Sequence, residues 1–180
     1  MVRVTGLLLV LLYHFYKTIF PGGFVGVDVF FTFSGYLITA LLIDEYSKHR
    51  KIDLLGFYRR RFYRIVPPLV LMVLMVIPFT YLVRRDYVAN IGTQIAAALG
   101  FTTNFYEIMT GGNYESQFVP HLFLQTWSLA IEMHFYLIWG WLIWFLGRRQ
   151  HSLAQFRSMI FGVSGLFFLG SFLSMFIRVF

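Results

Sequence analysis

The sequence predicts an all-α fold: a polytopic transmembrane helical bundle of about five spans plus a re-entrant or interfacial helix. Three observations predict it. The 180 residues are 58% hydrophobic and only 13% charged, and the mean hydropathy is +0.69. The apolar residues fall in runs approaching the ~20 residues that a helix needs to cross a bilayer. The basic residues gather in one segment between two of those runs. A soluble domain does not carry 22 Phe and 11 Tyr on so little charge.

The first span is expected near 2–20, with Arg3 and Lys17 close to its ends. Pro21-Gly22-Gly23 then reads as a turn rather than a signal-peptide cleavage pattern, so the span is retained. The second is expected near 25–43, interrupted only by Asp28. The third, near 67–83, opens on Pro67 and Pro68, which a first helical turn tolerates. The fourth lies near 123–146, and the fifth, near 159–177, has no ionisable residue. The segment from Lys48 to Arg64 holds seven basic residues and belongs in the cytoplasm together with the N-terminus. Residues 87–103 are ambiguous, with Ala96–Leu99 set against Asn90, Thr93 and Gln94. A spanning segment there puts Arg148, Arg149 and Arg157 outside. A re-entrant or interfacial one keeps them inside, as the charge rule prefers. The loop from Asn104 to Pro120, with Gly111-Gly112-Asn113, is then extracytoplasmic. No internal repeat is visible.

The net charge of +7 is read first as cytoplasmic loop charge and attraction to the lipid bilayer, not as nucleic-acid binding. The lack of cysteine excludes a disulfide, a thiolate nucleophile and a zinc–thiolate site. No metal is expected.

Ionisable residues inside spans are the main functional signal, since each costs at least ~2.5–3.5 kcal/mol at bilayer depth. Glu132 lies in the fourth span, and Ser128, Glu132 and Tyr136, four apart, share a helix face. His14 and Asp28 are read as buried too. Arg3, Gly6, Val10 and His14 form one stripe on the first helix. His14 suits general acid–base work, although a lone His is often a packing residue. A His14–Glu132 pair across helices is physically open, and Asp28 is a partner for a cation or His. Gly26 and Gly35 allow close helix approach, which is a structural role. Arg61 and Arg64, three apart, suit phosphate contacts, with Tyr58, Phe62 and Tyr63 able to stack on a base. A polyanionic cofactor, an anionic lipid and plain topogenic charge all fit that segment. Trp127 has an equally plain reading as an interface anchor.

Four motifs in order resemble the acyltransferase-3 family of membrane acyltransferases. They are Arg3…Gly6…Val10…His14, then Gly26-Val27-Asp28-Val29-Phe30-Phe31 followed by Ser34-Gly35-Tyr36-Leu37. Next come Arg60-Arg61-Phe62-Tyr63-Arg64-Ile65-Val66-Pro67, and last Trp127-Ser128-Leu129 through Glu132 to Tyr136. Gly6 stands where the family pattern has Ala, and His134 where it has Gln. The wording is similar to the peptidoglycan O-acetyltransferases of Gram-positive cocci. The resemblance implies acetyl-CoA as cytoplasmic acyl donor and an extracytoplasmic cell-envelope glycan as acceptor, there the C6 hydroxyl of N-acetylmuramoyl residues in peptidoglycan. It implies His14 and Glu132 as a catalytic pair in the membrane core, and Arg60, Arg61 and Arg64 as donor-binding residues. Arg3, Asp28, Ser34, Trp127, Ser128 and Tyr136 would support them, with Tyr13 or Tyr136 as an acyl carrier. The family's membrane domain has more spans, and many peptidoglycan members add an extracytoplasmic SGNH domain. The expectation is therefore a partial membrane domain over 1–180, without the SGNH domain and with a C-terminal half as a partner. The alternatives are a proton-coupled transporter, which usually shows an inverted repeat, and an inactive truncated remnant.

Overall fold

A computed structural model describes residues 2–16, 18–19, 21–83, 91–110, 121–148 and 152–179. Lys17, Asn90, Gly111-Gly112-Asn113 and Arg149 lie outside the described residues, as does the side chain of Arg3. Among the described residues seven helices follow in order: α1 (Val2–Phe15), α2 (Val25–His49), α3 (Leu54–Val83), α4 (Ile91–Leu99), α5 (Thr103–Met109), α6 (Thr126–Gly147) and α7 (Leu153–Val179). No strand occurs among the described residues. Among the described residues four helices are long and apolar enough to cross a membrane: α2, α3, α6 and α7. α1 is apolar but only 14 residues long, about 21 Å against a ~30 Å hydrocarbon core. It ends at Phe15, five residues short of the expected 2–20.

α3 departs further from expectation. Its 30 residues begin at Leu54, so Arg59, Arg60, Arg61 and Arg64 ride on the spanning helix itself, and Pro67, Pro68 and Pro78 lie in its interior rather than in a first turn. Arginine is a good helix former, so charge alone does not end a helix. Prolines inside membrane helices persist where neighbouring groups absorb the lost hydrogen bonds. α2 also runs six residues past its expected end, to His49. Arg50 then stops it at a left-handed φ of 51°, its N–H returning to the Tyr46 carbonyl at 2.9 Å.

α6 is the central helix, in contact with α2, α3, α4, α5 and α7. The main core lies around its second half: Ile38, Leu42 and Tyr46 of α2, Phe57 of α3, Trp139 and Ile143 of α6, and Phe156 and Ile160 of α7. Tyr46 and Phe156 pack with ring centroids 4.0 Å apart. α3 comes close to α6 at Gly140, where an added Cβ would meet Phe57 at 2.8 Å, and the Tyr58 hydroxyl donates to the Leu137 carbonyl at 2.8 Å. The Trp139 indole N–H donates to Thr39 Oγ1 at 2.8 Å, joining α6 to α2. Thr39→Val keeps the shape but strands that buried N–H, a loss of about 1–3 kcal/mol. A lower melting temperature in detergent, with helix content unchanged, is the expected readout.

α4 and α5 are too short to cross, which agrees with a segment that does not span. They turn at Phe101 (φ 54°) and pack at the start of α6. Gln94 accepts the Leu122 N–H at 2.9 Å, Thr103 and Thr126 hydroxyls meet at 2.8 Å, and Glu107 meets His121 at 2.8 Å. Leu69, Val73, Ala98 and Phe123 form a second core there. α4 and α5 stay at the end where α3 finishes, and α6 returns to the end where α2 finishes. Arg148 accordingly shares a cavity with Arg50 and Lys51, the pairing of basic residues that the charge rule prefers.

α1 lies antiparallel on the opening turns of α2. The seam is glycine on glycine: a Cβ on Gly6 would sit 3.0 Å from the Gly26 carbonyl, and one on Gly26 would collide with the Gly6 carbonyl. Gly26 therefore has the close-approach role expected of it. Gly35 does not, since a Cβ there would meet only Phe135 at an ordinary 3.6 Å.

Candidate active site

The glycine seam brings the last turn of α1 to the start of α6. His14 Nδ1 is 2.9 Å from the Val10 carbonyl oxygen, one turn back. Its Nε2 is 3.0 Å from the side-chain amide nitrogen of Gln125. The imidazole faces a cavity of about 530 Å³ whose polar lining is Tyr13, His14, Asp28, Gln125, Trp127 and Ser128. Asp28 sits in the first turn of α2, where the helix dipole favours a carboxylate. The Ser128 hydroxyl donates to the Gln125 carbonyl at 3.2 Å, and Trp127 stands edge-on to Phe31, centroids 6.4 Å apart. His14 and Asp28 are exposed, which corrects the expectation that both are buried. They lie at helix ends on an open cavity, not in the middle of the bundle.

Glu132 is buried, but elsewhere. Seven residues beyond Gln125 place it about 10 Å further along α6, where it accepts a hydrogen bond from the Tyr136 hydroxyl. Ser34 of α2, also buried, is hydrogen-bonded to the same hydroxyl. The Arg61 guanidinium lies 5.7 Å from the centre of the Tyr136 ring and 5.6 Å from that of Phe57. His14 and Glu132 are thus not brought into contact. Gln125 meets the first, and Tyr136 meets the second.

A third group occupies the basic end. A cavity of about 550 Å³ is lined by Lys48, Lys51, Arg60 and Arg61 with Asp44, Glu45 and Asp53. Lys48 pairs with Asp44 at 2.7 Å and Arg60 with Glu45 at 3.2 Å. Glu45 also accepts the Asp53 N–H at 2.8 Å. The four cationic side chains suit a polyphosphate, which would exchange against those two exposed pairs. Arg64 is exposed and does not line this cavity. Arg60, not Arg64, shares it with Arg61, because consecutive residues flank a groove beside α2 while Arg64 lies nearly a turn further on. Arg61 also lines a smaller opening of about 450 Å³ with Tyr58, Tyr63, Met133 and Tyr136. It therefore stands between the basic cavity and the Glu132 cluster.

One contributor carried no sequence signal, Gln125, while Lys48 and Lys51 belong to the basic segment already singled out and were not assigned to the donor site. Gln125 lies two residues before Trp127 with no periodic partner, and only the fold aims it at α1. Among the described residues no group of three or more His, Cys, Asp or Glu is placed to hold a metal ion.

The family model described as acyltransferase domain, Acyl_transf_3, matches residues 1–180. The chain is similar to the O-acetyltransferase OatA of Staphylococcus aureus strain NCTC 8325 / PS 47, 39% identical over 140 residues, which is 78% of this chain and 23% of that protein. The same figures hold for OatA of strain MRSA252. A further protein of strain COL, SACOL0978, provisionally named an O-acetyltransferase, is 38% identical over 135 residues, covering 75% of this chain and 22% of that one. The chain spans about a quarter of the length of these relatives. No solved structure gives a significant match.

Proposed function

From the premise that the chain belongs to the acyltransferase-3 family, whose model covers it throughout, we propose that it forms part of a membrane O-acetyltransferase. It takes acetyl from acetyl-CoA at the cytoplasmic face and passes it to a hydroxyl of an extracytoplasmic glycan, the C6 hydroxyl of N-acetylmuramoyl residues in peptidoglycan. The observation that carries this reading is the pairing of two cavities at opposite ends of the bundle. One is basic, with Arg60 and Arg61. The other presents His14. Thirteen residues of α2 separate Asp28 in one from Leu41 in the other, about 20 Å, a gap suited to a thioester carried on a long flexible arm.

In this reading the basic end is cytoplasmic by the charge rule, and Arg60 and Arg61, with Lys48 and Lys51, hold the donor's phosphates. Arg64 adds charge at that face without lining the cavity. His14 Nε2 removes the proton of the acceptor hydroxyl. The hydroxyl oxygen bonds to the acyl carbon, the carbon–sulfur bond breaks, and the thiolate leaves to be protonated. Tyr13 and Tyr136, near the two ends of the route, are the positions for an acyl carrier if transfer takes two steps. Glu132, bonded to Tyr136 beside Arg61, acts on the donor side rather than on His14. The O-acetyltransferase name of the relatives supports a transferase over a proton-coupled transporter. Residues supplied by the remaining length of the relatives would complete the protein.

The test is ester formation in lipid vesicles, using labelled acetyl-CoA and muramoyl glycan fragments with and without the C6 hydroxyl. The chain is assayed alone and joined to the segments its longer relatives carry. Ester is expected only on fragments bearing that hydroxyl. Arg61→Ala should raise the KM for acetyl-CoA by roughly tenfold, the worth of one charge-assisted phosphate contact. Ester on fragments lacking the hydroxyl would overturn the acceptor, and an unchanged KM would remove Arg61 from the donor site.

A further inference from the structure

We propose that Gln125 is a positioning residue for the transfer step: its amide holds His14 in the tautomer whose free lone pair is on Nε2. The inference rests on the reading of His14 as the base. Gln125 is the N-cap residue of α6, yet its side chain makes no capping hydrogen bond. It reaches instead to α1 and meets His14 Nε2 at 3.0 Å.

The other ring nitrogen decides what that contact means. Nδ1 lies 2.9 Å from the Val10 carbonyl oxygen. A carbonyl only accepts, so Nδ1 carries the proton, and in a neutral imidazole Nε2 is then bare. The amide N–H of Gln125 donates to it. Two hydrogen bonds from opposite sides fix both the tautomer and the plane of the ring.

A neutral amide has a particular advantage here. An acceptor hydroxyl arrives at Nε2 as a donor and takes the place the amide N–H held. Once Nε2 has the hydroxyl proton it becomes a donor itself. The same amide, turned over about its last bond, then offers a carbonyl oxygen to receive it. One side chain thus serves the ring before and after proton transfer. A carboxylate at this position would accept only, and an aliphatic side chain would do neither. The cavity's own charged or titratable groups are Asp28 from α2 and Tyr13 from α1, while α6 contributes only the uncharged Gln125, Trp127 and Ser128. Tautomer selection at His14 therefore falls to the amide and the Val10 carbonyl.

The experiment is solid-state nuclear magnetic resonance on the full chain in lipid with isotope-labelled histidine, where bare and protonated ring nitrogens resonate apart. The His14 signals are assigned by their loss in His14→Ala. The parent should show a protonated Nδ1 and a bare, hydrogen-bonded Nε2. Gln125→Leu should shift the Nε2 signal by removing its donor, and the near-isosteric Gln125→Glu should give a protonated Nε2. Unmoved signals from His49, His121 and His134 show that the fold has survived. In the transfer assay Gln125→Leu should lower kcat on the order of tenfold, part of the acid–base contribution, with the KM for acetyl-CoA unchanged. A protonated Nε2 in the parent, or identical His14 signals in parent and Gln125→Leu, would overturn the proposal. Shifted signals alongside full transfer by His14→Ala would instead sink His14 as the base and leave the hydrogen bond standing.

Discussion

His14→Ala is expected to abolish acyl transfer, with a loss on the order of 10²–10⁴-fold, while the protein stays inserted and helical. The imidazole is exposed on an open cavity, so truncating it removes little packing and strands no buried group. Among the described residues its polar contacts are to Val10 and Gln125. The change therefore separates chemistry from stability in a way that Glu132→Ala does not, since Glu132 is buried and accepts the Tyr136 hydroxyl. The check is ester yield from labelled acetyl-CoA beside a circular dichroism melt. Transfer at the parent rate would take His14 out of the reaction, and a collapsed melt would assign it to packing.

Gly26→Leu is expected to do comparable damage by another route. A Cβ at Gly26 already collides with the Gly6 carbonyl and comes within 3.0 Å of Leu9 and Val10. The neighbour is backbone, which cannot rotate aside. Overpacking of this kind costs typically ~1–3 kcal/mol. Among the described residues α1 packs extensively against α2 alone. The helix should part from α2 and carry His14 away from Gln125, while the α2–α3–α6 core holds. Hydrogen exchange read by mass spectrometry should show α1 amides losing protection and α6 amides keeping it. Equal loss in both helices would mean that the seam supports the whole bundle. Unchanged protection would mean that the contact yields without cost.

The four long helices were legible because membrane crossing leaves a coarse mark, a long run of apolar residues. Their ends were less so. The start of α3 was hidden by arginines that look like a loop and are helical, and the prolines that seemed to open the helix lie inside it. The glycine seam at Gly26 was readable from the absence of side chains. The contents of each cavity were not. Spacing put Ser128, Glu132 and Tyr136 on one face, and Glu132 does meet Tyr136, but Ser128 faces the His14 cavity instead. Helical spacing specifies direction around an axis. Which neighbour waits in that direction depends on how far along the axis the next helix has slid. That offset, not the face, sets Gln125 rather than Glu132 against His14.

The bond between His14 and Gln125 joins positions 111 residues apart. During synthesis α1 and α2 emerge together and close their glycine seam as a hairpin of neighbours. The partner of the imidazole is not yet made. Three more helices must leave the ribosome and find their places before α6 brings the amide into reach. Orientation of the imidazole thus waits for α6. Until then a nascent chain carries an imidazole held on one side only, by the Val10 carbonyl one turn back.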